Sequence, residues 1–146
     1  MIHRIVTPLA IAALAARTAV AQQPTTRDTG AASAAPAVVQ VEMVDGGPYA
    51  MAFAPVRVSA RLGDTVRFVQ RGRVPHNVVF RSVPPGADLT ALGAARDGPL
   101  LQRAGATYDV VLDGRFRPGK YVYVCAPHEV LGMAGVLNVR PAGGAP

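Results

Sequence analysis

Cys125, His128 and Met133 stand in the run Cys-Ala-Pro-His-Glu-Val-Leu-Gly-Met, and His76 lies far upstream in Val-Pro-His-Asn-Val-Val-Phe. Together they offer one thiolate, two imidazoles and one thioether. That is the donor set of a blue-copper electron-transfer site, in which two His and one Cys form a trigonal plane and a Met binds weakly on the axis. Cys125 is the only cysteine of the chain. Of the three histidines, His3 falls in an N-terminal export signal, so the exported part keeps only His76 and His128. Each residue alone has an ordinary explanation. A His on an apolar strand is usually a hydrogen-bonded structural residue, a lone Cys a buried thiol, and a Met core filling. Their joint spacing, with no spare His or Cys, favours a metal.

Copper is preferred to zinc because a thioether is an unusual zinc ligand and because copper binds more tightly at a given nitrogen and sulfur site. A Cys125–His128 nucleophile pair is the enzyme alternative. It lacks any sign of an oxyanion hole or of an orienting acid other than Glu129. Met43 and Met51 read as apolar filling rather than ligands.

The chain around these residues has the organisation of a small exported domain. Residues 1–21 read as a signal peptide: a basic start at Met1–Arg4, an apolar stretch from Ile5 to Ala16, and Ala19-Val20-Ala21 before a cut at Gln22. The apolar stretch is shorter than the ~20 residues of a membrane span, so no stable span is expected after cleavage. The destination is the periplasm or the exterior. There, a single cysteine needs a reason to exist unpaired, and metal ligation supplies one. Residues 22–37 read as a flexible linker, 38–140 as the folded domain and 141–146 as a loose tail. The net charge of +6 is spread along the chain. No basic stripe with interleaved aromatics appears, so nucleic acid is not an expected partner.

Half of the residues are hydrophobic, enough for one core. Their period is two. Val39, Val41 and Met43 alternate with polar residues, as do Val56, Val58, Ala60 and Leu62, then Val66 and Phe68. Tyr108, Val110 and Leu112 share a face, as do Leu137 and Val139. Such alternation predicts half-buried strands of antiparallel sheets. Val78–Phe80 and Tyr121–Val124 are apolar on both faces and predict central strands. Turns are expected at 45–48, 62–64, 84–86 and 117–119. Residues 84–106 predict a long crossover, with a short helix from Asp88 weakened by Gly93. The expectation is an all-β, Greek-key β-sandwich of about seven to eight strands, with a short helical turn in its long crossover.

Three segments carry a family resemblance: Pro75-His76-Asn77-Val78-Val79-Phe80, Gly119-Lys120-Tyr121-Val122-Tyr123-Val124-Cys125-Ala126-Pro127-His128, and Gly132-Met133-Ala134-Gly135. With the Leu62–Val66 turn and strand, they make the domain resemble a cupredoxin of the plastocyanin and pseudoazurin type. The resemblance implies one type 1 copper ion held by His76, Cys125, His128 and Met133. It implies that the Asn77 backbone N–H donates to the Cys125 sulfur while its side chain ties the two ligand loops together. It further implies a monomer that meets redox proteins through an apolar patch around His128, formed by Pro75, Pro127, Val130, Leu131 and Gly132. Two features depart from plastocyanins: Val124 stands where they carry Tyr, and no acidic cluster appears. The implied function is single-electron transport, and the alternatives are a periplasmic copper carrier or store using the same site, and a cupredoxin domain kept only for protein contact.

Overall fold

The inward phase of each alternating run becomes the core of two facing sheets. A computed structural model describes residues 35–46 and 51–143, all within the compact unit Ala31–Pro146. The signal peptide and nearly all of the linker lie outside the described residues, as does the end of the tail. Eight strands are described: β1 Val38–Asp45, β2 Met51–Ala54, β3 Arg57–Arg61, β4 Thr65–Gln70, β5 Val79–Ser82, β6 Thr107–Val111, β7 Gly119–Val124 and β8 Ala134–Arg140. They form one sheet in the order β2-β1-β4-β6 and another in the order β3-β8-β7-β5. The expected all-β sandwich is therefore observed. Val41, Met43, Val58, Ala60, Val66, Phe68, Val110, Leu112, Leu137 and Val139 are all buried.

Three expectations need correction. The sheets are mixed rather than antiparallel, because β1 pairs with β4 and β3 with β8 in parallel. Side-chain alternation reports which face is buried and is blind to strand direction. The segment Val78–Phe80 is also not in a central strand: β5 is the outer strand of its sheet. Its outer side is covered by the crossover instead. Phe80 N–H donates to Arg96 O at 2.9 Å, and Gly98 N–H donates to Val78 O at 2.8 Å. Burial by a loop leaves the same apolar signature as burial by a strand. Tyr121–Val124, by contrast, does lie in a central strand, β7, between β8 and β5. Last, β2 follows the expected turn but was not anticipated as a strand, because its four residues are too few to show a period.

The crossover carries its helical turn as a 3-10 segment, Thr90–Ala95, interrupted at Gly93 by non-helical φ 53° and ψ −129°. Its N-cap is Leu89 rather than the expected Asp88, which accepts the Thr90 N–H at 2.8 Å from one residue further back. In the 113–117 turn, whose Arg115 donates to Leu92 O of that segment at 3.0 Å, the Tyr121 hydroxyl accepts from Arg117 N–H at 2.7 Å and donates to Arg117 O at 3.0 Å. This ties β7 to the turn before it, much as buried tyrosines pin corners in other β-sandwiches. Among the described residues no helix is long and apolar enough to cross a membrane.

Candidate metal centre

Backbone pairing fixes where each donor points. His76 sits between β4 and β5 and is clamped to the crossover. Its N–H donates to Leu101 O at 3.2 Å and its carbonyl accepts from Leu101 N–H at 2.8 Å. Cys125 follows the last residue of β7. Cys125 continues the inward phase of Tyr121 and Tyr123 in β7, and all three are fully buried. Residues 126–131 form a 3-10 segment with Pro127 in its first turn, and Gly132 ends it at φ 83°, a left-handed conformation that suits glycine. That turn brings Met133 back beside Cys125, whose N–H donates to Met133 O at 3.1 Å. Met133 N–H in turn donates to His128 O at 3.2 Å. The loop is thus closed on itself by main-chain bonds before any metal is considered.

The side chains converge. His76 Nδ1 and His128 Nδ1 are 3.1 Å apart, and the Cys125 Sγ lies 3.5 Å from the first and 3.3 Å from the second. A point equidistant from these three atoms lies about 1.9 Å from each, close to the roughly 2.0–2.3 Å of metal–imidazole and metal–thiolate bonds. The spacing of His76, Cys125 and His128 would therefore let the three donors hold one small ion. His76, Cys125 and Met133 are fully buried, while His128 is half-buried.

Burial sets the electrostatics of the donors. Burial pushes the Cys125 thiol up, against the Asn77 and His128 backbone N–H groups that pull it down. Burial, reinforced by the nearby His76, lowers the pKa of His128, and the Asp45 charge opposes this only in part. The shift favours the neutral His128 ring, which has a lone pair to offer. Asn77 bridges two parts of the site. Its N–H reaches the Cys125 sulfur, and its side-chain oxygen accepts the Ala126 N–H at 2.8 Å, joining the His76 strand to the ligand loop. Asn77→Ala cuts this tie. Loss of such an outer contact typically lowers metal affinity about 10–100-fold, and a competition titration with Cu(II) should show that loss with the fold intact by circular dichroism.

Glu129 points elsewhere. It is exposed and paired with Arg81, Nη2 to Oε2 at 2.7 Å, so it does not orient His128 as a catalytic triad would require. One neighbour of the site escaped the sequence reading, which assigned it to a turn. The Asp45 Oδ1 stands 2.8 Å from His76 Nε2. Burial would raise the Asp45 pKa, but bonds from His76 and from the Arg73 and Val74 N–H groups outweigh it and hold the carboxyl below its usual range. The signal was present in the phase of β1: Asp45 falls in step with Val41 and Met43, so a carboxylate was due on the inward side.

Residues 39–140 match the family described as copper binding proteins, plastocyanin/azurin family. The chain belongs to that family. Plastocyanin of Prochlorothrix hollandica is 38% identical over 110 residues, covering 75% of this chain and 79% of that protein. Plastocyanin of Ginkgo biloba is 35% identical over 103 residues, covering 68% of this chain and all of that one. The structure of a mutant fern plastocyanin superposes with a TM-score of 0.58 at 30% identity, covering 70% of this chain and 100% of the fern protein. The cofactor of this cupredoxin is copper, and the donor triangle has the chemistry and the size to take it.

Proposed function

We propose that this cupredoxin is an exported, monomeric, mononuclear blue-copper protein that carries single electrons between redox proteins, with His76, Cys125, His128 and Met133 as its copper ligands. The observation that carries the reading is the convergence of two imidazole nitrogens and one thiol within 3.5 Å of one another on a closed, buried frame. Copper bound there would supply a Cu(I)/Cu(II) couple. The chain's own contribution is stiffness. His76 is held by two backbone bonds to the crossover, and the Cys125–Met133 loop by its internal bonds, so the donors have little freedom to rearrange when an electron arrives or leaves.

The route for the electron follows from exposure. Of the ligands, His128 alone reaches the surface. Beside it Val130 is 92% exposed and Leu131 50% exposed, and Pro75, Pro127 and Gly132 are also exposed. A small apolar area of this kind suits a brief encounter with a redox protein. Val124, where plastocyanins carry Tyr, is buried, which supports the His128 edge as the exit. Residues 1–21 would direct the chain to the periplasm or beyond.

The test is optical and electrochemical. The purified chain loaded with Cu(II) should show intense thiolate-to-copper absorption and survive repeated reduction and oxidation without losing metal. Ready release of copper to a thiol-rich acceptor, with slow electron exchange, would favour the carrier or storage alternative. A folded, copper-loaded and colourless protein overturns both the ligand set and the function. Met133→Leu should keep the colour, since the equatorial donors remain. Its reduction potential should rise, because losing the thioether donor would weaken Cu(II) more than Cu(I). Spectroelectrochemical titration reads the shift.

A further inference from the structure

We propose that Asp45 is a positioning residue of the copper centre, whose carboxylate holds His76 by Nε2 and keeps the reduction potential of the centre low. The inference rests on the copper reading above and concerns a residue outside the ligand loop. Asp45 is the last residue of β1, which runs parallel to β4 with Met43 opposite Gln70. Beyond β4 the chain wraps the end of β1. Arg71 N–H and Gly72 N–H both donate to Met43 O, at 2.9 and 3.1 Å. The next two N–H groups, of Arg73 and Val74, donate to Asp45 Oδ2. One carboxylate oxygen is thereby anchored to backbone, which leaves Oδ1 aimed at His76 Nε2, 2.8 Å away.

The neighbourhood is shaped to admit this carboxylate. A Cβ on Gly72 would sit 1.9 Å from Asp45 Oδ1, so any other residue there would expel it. The His76 side chain is wholly buried and that of Asp45 is 19% exposed. The bond therefore works in a partly desolvated setting, where charge acts more strongly than in water.

Three consequences follow for a metal at Nδ1. A ring that donates Nε2–H to Asp45 offers its lone pair at Nδ1, the nitrogen that faces Cys125 and His128. The ring cannot turn away without breaking the bond. The carboxylate also brings a negative charge within one imidazole of the metal, which strengthens the ring as a donor and favours Cu(II) over Cu(I). A backbone carbonyl in the same place would orient the ring but would bring no net charge.

The experiment compares wild type, Asp45→Asn and Gly72→Ala, each loaded with copper and checked for fold by circular dichroism. Asp45→Asn keeps the size and an oxygen but removes the charge. It should stay blue, lose about 10–100-fold in Cu(II) affinity with much less change for Cu(I), and rise in potential by about 59 mV for each tenfold lost. Gly72→Ala displaces the carboxylate without altering any charge and should raise the potential in the same direction. It decides the matter if Asp45→Asn does not fold. A folded, blue Asp45→Asn at the wild-type potential overturns the proposal. A folded, copper-loaded but colourless wild type overturns the copper reading beneath it.

Discussion

Replacing Cys125 by Ser is expected to erase the blue absorption completely while leaving the fold in place. The argument separates what the sulfur does for the metal from what the residue does for the chain. The sulfur lies 3.3 and 3.5 Å from the two imidazole nitrogens, and the colour arises from charge transfer between a thiolate and Cu(II). A serine oxygen is hard and far less easily ionised, so it cannot supply that transition or hold Cu(I) comparably. The structural duties of residue 125 are mostly backbone duties. Its N–H donates to Met133 O, and its carbonyl accepts the His128 N–H at 3.0 Å. Serine preserves both, and its hydroxyl can accept the Asn77 N–H that the sulfur otherwise takes. The metal-free variant should therefore lose no more than about 1–2 kcal/mol, the usual range for burying a hydroxyl with a partner. Visible and electron paramagnetic resonance spectra of the copper-treated variant, set beside its thermal melt, check both halves. A blue Cys125→Ser protein would exclude Cys125 as the equatorial thiolate.

Why the clustered donors could be read from the chain, and Asp45 could not, is a matter of what each residue type signals. A chain with one cysteine and two histidines in its domain leaves few ways to assemble a soft metal site, and the tight spacing from Cys125 to Met133 forces three donors onto one loop. The phase of the strands was equally legible, because burial on one face leaves a period of two that needs no knowledge of partners. Strand direction leaves no such trace, which is why the parallel pairs β1–β4 and β3–β8 appear only in three dimensions. The apolar run at Val78–Phe80 misled for a related reason: hydrophobicity records that something covers β5, and the cover is the crossover rather than a ninth strand. Asp45 was masked by its neighbours. Followed by two glycines and a proline, it reads as a turn residue, and its role depends on the chain returning from β4 to wrap it. His76 and its supports come from three separate stretches of sequence, and only the fold brings them to one place.

The same separation of parts predicts opposite outcomes for two substitutions of Tyr123. This ring lies where the two sheets meet. Its centroid is 4.8 Å from Phe53 and 5.1 Å from Phe68 in one sheet, and 5.8 Å from Phe80 in its own, all near edge-to-face. Such geometry adds to the gain from burial alone. Gly135, on β8 beside it, leaves room for the ring, since a Cβ there would lie 2.4 Å from its carbons. Tyr123→Ala opens a cavity at this junction and should cost about 3–5 kcal/mol, a large share of the ~5–15 kcal/mol that stabilises a typical domain. Each kcal/mol corresponds to roughly 4–8 °C in Tm at this size. Cys125 lies two residues on in the same buried phase, so the loosened core should weaken copper binding as well. The hydroxyl argues the other way. It is buried and has no hydrogen-bond partner among the described residues, and burial alone pushes its pKa far above that of a free phenol. An unsatisfied buried polar group costs about 1–3 kcal/mol, so Tyr123→Phe, which keeps the ring and removes the oxygen, should gain about 1 kcal/mol and leave the copper spectrum unchanged. Denaturant titration of both variants tests the pair. A Phe variant less stable than wild type would mean that the hydroxyl has a partner, and the loss on Tyr123→Ala could then no longer be assigned to the ring alone.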